Sequence, residues 1–133
     1  MTDILQMTLP PHVRDVWPLV RDRVAAMAAA CDEAWMPEDV FQQLVVGDAY
    51  LWGTPDLSGF LVLQIATQPY GRELHCWLCF NDTGEPPIAY WDQLLEIARD
   101  NRCVAVTFEN DRQGFQRAIP GLRVRYMYRA AVT

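Results

Sequence analysis

The chain has no lysine among its 133 residues. That excludes Schiff-base chemistry and lysine nucleophiles, and leaves all cationic work to arginine, whose planar fork suits carboxylates and phosphates. Histidine occurs only twice, at His12 and His75, which leaves little from which to build a zinc centre. No apolar run approaches the ~18–20 residues of a membrane span. Met1-Thr2-Asp3 lacks the basic lead of a signal peptide, so a soluble, cytoplasmic protein is expected. G-x-S-x-G, the P-loop and G-x-G-x-x-G are all missing, and hydrolase or nucleotide-cradle readings have no support. The four cysteines (Cys31, Cys76, Cys79, Cys103) sit in or beside apolar runs, as buried thiols of a reducing compartment do. Repeats, linkers and low-complexity tracts are missing too, so residues 1–133 read as one domain.

What is present is a core-forming composition with a divided charge. Half of the residues are hydrophobic (51%), enough to bury a core without staples. Residues 1–98 carry 4 arginines against 14 acids, whereas residues 99–133 carry 7 against 3. A first strand is expected over Asp3–Thr8, ended by Pro10-Pro11. Val13, Val16, Trp17, Val20, Val24, Met27 and Cys31 recur at helical spacing, with Pro18 expected to delay or kink that helix. Pro37-Glu38-Asp39 starts a second helix, with Val40, Phe41, Leu44 and Val45 inward and Gly47 as its stop. A meander of strands follows at Ala49–Trp52, Phe60–Thr67 and Arg72–Phe80.

The chain is organised around Arg72–Glu109, which reads strand, loop, helix, strand. Leu74, Cys76, Leu78 and Phe80 are expected on one strand face, with Glu73, His75, Trp77 and Cys79 on the other. Ile88, Trp91, Leu94, Leu95 and Ala98 fall at helical spacing behind Pro86 and Pro87. Cys103–Phe108 is a short apolar run typical of a buried strand. Such a unit is a right-handed βαβ crossover between parallel strands. A short helix over Asp111–Ile119 and a last strand over Leu122–Val132 complete the order β-α-α-β-β-β-α-β-α-β. This is an α/β (α+β) fold: one mixed sheet with helices on both faces.

Several residues suggest sites. Residues three apart on a strand point oppositely, so Cys76 and Cys79 are not expected to converge on a metal. Glu73 and His75 share a face and could together act as a general base through water, although a solvated strand face is the plainer reading. Arg112, Arg117, Arg123, Arg125 and Arg129 could form a basic stripe for an acidic partner, with a salt-dependent affinity. An ion-paired surface is again the plainer account. Trp35, Trp52 and Tyr70 lie near element ends, where exposed aromatics would suit a protein contact.

The element order, with Asn110 followed after a strand and short helix by Gly121-Leu122, resembles the GNAT (Gcn5-related N-acetyltransferase) fold over nearly the whole chain. The Cys103-led strand, Gly114-Phe115 and Pro120-Gly121-Leu122 also resemble small GNAT-like proteins encoded by bacteriophages. The family binds acyl-CoA pyrophosphate through [QR]-x-x-G-x-[GA] at the entry to its central helix. Aligned on Leu94-Leu95, this chain has Pro86 at the Gln/Arg position, with Ala89 and Trp91 at the two small ones. Gly84 and Ala89 are what is left of the cradle; the prolines supply no N–H, and Asp82 and Glu85 would repel a pyrophosphate. Arg117 stands where many members keep a tyrosine general acid. The resemblance therefore implies a GNAT-fold protein that has lost acyl transfer and needs no cofactor. It would serve as a structural or protein-binding component, of a phage virion or assembly or by self-association, with no membrane or nucleic-acid partner. The alternative it implies is an acetyl-CoA-dependent N-acetyltransferase with a non-standard pyrophosphate loop and Glu73 or His75 as base.

Overall fold

The computed structural model describes residues 5–30, 35–82, 87–108, 119, 121–125, 130 and 132. Eight regular elements follow in order. They are β1 (Gln6–Thr8), α1 (Val13–Ala30), α2 (Pro37–Val46), β2 (Tyr50–Gly53), β3 (Gly59–Gln68), β4 (Gly71–Asn81), α3 (Trp91–Asp100) and β5 (Cys103–Phe108). Short 3-10 turns at Pro10–His12 and Pro87–Tyr90 lead into α1 and α3. The sheet order is β1-β2-β3-β4-β5, antiparallel throughout except for the parallel pair β4–β5. The mixed sheet, the crossover and the helix order agree with the sequence reading. Of the helix expected over Asp111–Ile119, residues 111–118 lie outside the described residues.

Each helix face follows from apolar spacing. Val13, Trp17, Val20 and Val24 form the buried stripe of α1, which runs through Pro18 without starting late. Proline removes one helical hydrogen bond, and here its ring lies on the exposed side. In α2, Pro37 sits in the first turn and the Asp39 carboxylate accepts from the Met36 N–H at 2.8 Å. Gly47 closes this helix at φ 82°, a left-handed conformation that costs a residue without Cβ little. Arg21 on α1 donates to Glu38 on α2 at 2.7 Å, and that hydrogen bond holds the carboxyl below its usual range.

The sheet divides the core in two. Val40, Leu44, Leu51, Phe60, Val62 and Leu78 pack with the α1 stripe on one face. Leu61, Leu63, Leu74, Cys76, Tyr90, Leu94, Ile97 and Ala98 pack on the other, under α3. Both faces of β3 are buried, which explains its unbroken apolar run Phe60–Leu63. In α3 the inward residues are Leu94, Ile97 and Ala98, whereas Leu95 is only half-buried.

Two local devices fix the start of β3. Gly59 lies against the Tyr90 hydroxyl, where an added Cβ would collide; that hydroxyl accepts from Asn81 Nδ2 at 2.7 Å. In the β2–β3 turn, Leu57 holds φ 58°, a strained value for a leucine. Its buried side chain and the Arg23 guanidinium on its carbonyl (2.9 Å) keep it there. In the same turn Asp56 Oδ1 accepts from the Ser58 N–H at 3.0 Å and from Thr54 Oγ1 at 2.9 Å. These bonds, Ser58 first, hold Asp56 at about 2, below its ordinary 3.8. The folded-state value is depressed, so the stabilisation is present above pH ~4 and fades as pH falls toward ~2. The gap in thermal midpoint between wild type and Asp56→Asn is therefore expected to close between pH 5 and pH 2. A gap constant over that range would refute the linkage.

The C-terminal expectation needs correction. Over 121–125 the backbone is irregular, not a strand, and Arg123, Val124 and Arg125 are all exposed. Alternating residue types there do not mark alternating faces. Of the remainder of the expected strand, 126–129 and 131 lie outside the described residues, and 130 and 132 are irregular.

Candidate functional site

The site is built on β4 and its two neighbours. Along β3, Val62 faces Leu78 while Leu63 faces Cys76, which leaves Trp77 as an extra residue. One strand with two residues against one is a β-bulge, which bends the strand and increases its twist. The bulge reverses the side-chain parity of β4. Leu74 and Cys76 join the α3-side core, Leu78 joins the α1/α2-side core with Trp77 and Phe80 against it, and Cys79 returns to the α3 side. The single apolar face expected for Leu74, Cys76, Leu78 and Phe80 is thus corrected. Cys76 and Cys79, expected on opposite faces, share one. Burial, and secondarily the nearby Cys79, push the Cys76 thiol up, so at neutral pH it is a packed thiol rather than a nucleophile. Among the described residues no group of three or more His, Cys, Asp or Glu is placed to hold a metal ion.

Among the described residues, the parallel pairing of β4 with β5 runs from Arg72–Cys103 to Cys76–Phe108, up to the bulge. One face of this pair carries polar side chains. His75 and Thr107 lie in register across the parallel pair, and His75 Nδ1 and Thr107 Oγ1 are hydrogen-bonded at 2.8 Å. Gln64 stands opposite His75 on β3 and donates to Gln43 of α2 at 3.4 Å. Glu73 precedes His75 on the same face, between Ala66 and Ala105. Trp77 follows on that face, edge-on to Trp35 at 5.6 Å. On the α3 side, Trp91 and Phe108 meet edge-on at 6.5 Å.

The structure thus brings Glu73 and His75 together on one half-buried face, as expected, and adds Thr107, Gln64 and Gln43, which the sequence reading missed. Only the β4–β5 register, joining residues 32 apart, could have revealed Thr107. Ala89 sits half-buried in the 3-10 turn before α3. Gly84, Arg112, Arg117 and Arg129 lie outside the described residues. Arg123 and Arg125 are exposed. Asp82, read as a repelling charge, is paired with Arg23 at 2.7 Å, and that guanidinium also lies over the Phe80 ring at 5.2 Å. Its charge is compensated from α1. Of the three end-of-element aromatics, Tyr70 is exposed, whereas Trp35 and Trp52 pack against the two cores. Among the described residues no helix is long and apolar enough to cross a membrane.

No protein-family model and no curated protein matches the chain. Solved structures do. A GCN5-related N-acetyltransferase from Ralstonia eutropha JMP134 superposes with a TM-score of 0.70 at 10% identity, over 96% of this chain and 97% of that one. Ribosomal-protein-alanine N-acetyltransferase from Brucella melitensis biovar Abortus 2308 gives 0.68 at 14% identity, over 96% and 99%. An aminoglycoside acetyltransferase from an uncultured soil metagenomic sample, in complex with sisomicin, gives 0.62 at 11%, over 96% and 95%. The bacteriophage expectation finds no support among them. Strand order, crossover and these likenesses together give the chain the fold of the GNAT acetyltransferases.

Proposed function

We propose that the chain is an acyl-CoA-dependent N-acyltransferase, in preference to the non-catalytic reading suggested by its loop sequence. The observation that carries this is the half-buried face of β4 that sets Glu73 beside the hydrogen-bonded His75–Thr107 pair. Bound there, the thioester would supply an activated acyl group. The chain's own part is to orient that group along β4, to exclude water with Trp77, Trp91 and Phe108, and to take a proton from the acceptor amine at His75 or Glu73. The neutralised Asp82 removes one objection to a pyrophosphate near the α3 entry. The named neighbours act as acetyltransferases, which favours the same reading.

A second reading, a GNAT-fold binding or structural component, is favoured by Pro87 opening the turn before α3, where it offers no N–H. Calorimetric titration with acetyl-CoA, repeated with desulfo-CoA, separates the two. Micromolar binding of both is the expected result, followed by release of CoA thiol with a panel of primary amines. No binding at millimolar ligand would remove the transferase reading and favour the second.

A further inference from the structure

We propose that a cleft at the start of β4 binds a small zwitterion, an amino acid or short peptide with both ends unblocked, between Arg72 and Asp48. The cleft has a volume of about 300 Å³ and is lined by Gly47, Asp48, Tyr50, Ile65, Thr67 and Arg72. That volume is at the lower end of the range for small-ligand sites. Thr67 and Arg72 are register partners, and Ile65 and Leu74 are the next pair on the same face. Tyr50 stands opposite Leu63 on β3. Leu63, Ile65 and Leu74 belong to the α3-side core, so the cleft opens on that side of the sheet. Glu73 and His75 point to the other side, and the cleft is therefore separate from the site described above.

The two sides of the cleft carry opposite charge. On one side α2 ends, and Gly47 at φ 82° turns the chain into Asp48. A helix C-terminus is the negative end of its macrodipole, and the Asp48 carboxylate adds a full charge beside it. On the other side the Arg72 guanidinium offers a planar fork that suits a carboxylate, with the Thr67 hydroxyl as a further donor. Among the described residues, neither Arg72 nor Asp48 has a side-chain hydrogen bond or ion pair. They line one cleft and do not pair with each other, because Asp48 leads into β2, Arg72 opens β4, and β3 lies between. Two strand spacings, about 10 Å, separate those backbones. A zwitterion spans such a gap, its ammonium meeting Asp48 and its carboxylate meeting Arg72. A simple anion or cation would be attracted at one side and repelled at the other. The half-buried Tyr50 and Ile65 supply ring and alkyl surface for the ligand's carbon frame.

Calorimetric titration with glycine, γ-aminobutyrate and alanyl-alanine, whose charges lie at different separations, tests the assignment. At least one is expected to bind with a Kd of about 1 mM or below. Amidating its carboxylate or acetylating its amine should each weaken binding about tenfold or more. Arg72→Gln should bind the free acid and the amide equally, and Asp48→Asn should bind the free and the acetylated amine equally. Both side chains are exposed, so both variants should melt with the wild type, which separates lost binding from lost folding. Absence of binding by all three at tens of millimolar would overturn the proposal. So would variants that keep the wild-type preference for unblocked ends, or a wild type indifferent to blocking. None of these outcomes depends on whether the chain transfers acyl groups.

Discussion

Replacing Phe60 with alanine is expected to remove about 3–5 kcal/mol of stability, the cost of deleting a buried phenyl ring. Phe60 is fully buried near the start of β3, the middle strand of the sheet, and stacked on Phe80 with centroids 5.3 Å apart and planes at 25°. Its ring belongs to the core formed by Trp17, Val20, Leu44 and Leu51. The loss extends beyond one cavity. Phe80 carries the Arg23 guanidinium on its face, and Arg23 holds both Asp82 and the Leu57 carbonyl. A Phe80 ring without its stacking partner releases that clasp as well. A domain of this size has about 5–15 kcal/mol in total, so the variant should lose about 10–20 °C in melting temperature. Urea denaturation checks it, and a loss under ~1 kcal/mol would show that the two cores repack freely.

Deleting Trp77 is expected to leave the fold in place and to weaken acetyl-CoA binding about tenfold or more. The reasoning is one of register. With Trp77 removed, Cys76 still faces Leu63 and Leu78 still faces Val62, so every other residue of β4 keeps its partner and its face. What is lost is the bulge, its local twist, and the edge contact with Trp35. The stability cost should be about 1–3 kcal/mol, that of one half-buried aromatic. Trp77→Ala is the control: it loses the ring and keeps the extra residue. The deletion should lose affinity that Trp77→Ala largely retains. Equal affinities in the two variants would mean that the bulge does not shape the binding site.

The fold was largely legible in the sequence, because helices and turns announce themselves through spacing and punctuation. Val13–Val24, Pro37 and Gly47 each mark their elements, and the β4–α3–β5 crossover follows from element lengths. The bulge was not legible. Both faces of β4 are covered by core, so Trp77, Leu78, Cys79 and Phe80 are all apolar, and a parity change among apolar residues leaves no trace in the pattern. The error about Cys76 and Cys79 follows from that one residue. The strand expected over Arg123–Arg125 misled for the opposite reason: alternation was visible, but the described backbone there is irregular and both residue types are exposed. The candidate site was half legible. Glu73 and His75 could be placed on one face, whereas Thr107 and Gln64 reach them only through strand register. Local sequence does not encode that register.

The contact between Gly59 and the Tyr90 hydroxyl ties two positions far apart in the chain into one inherited unit. As sequences of this fold drift, a side chain enters at position 59 with least disturbance after position 90 has given up its hydroxyl, a step that also removes one acceptor from the Asn81 amide. The easier order is phenylalanine at 90 first, then alanine at 59. A lineage that took the steps in reverse would pass through a chain in which the Tyr90 ring has to shift away from the new side chain.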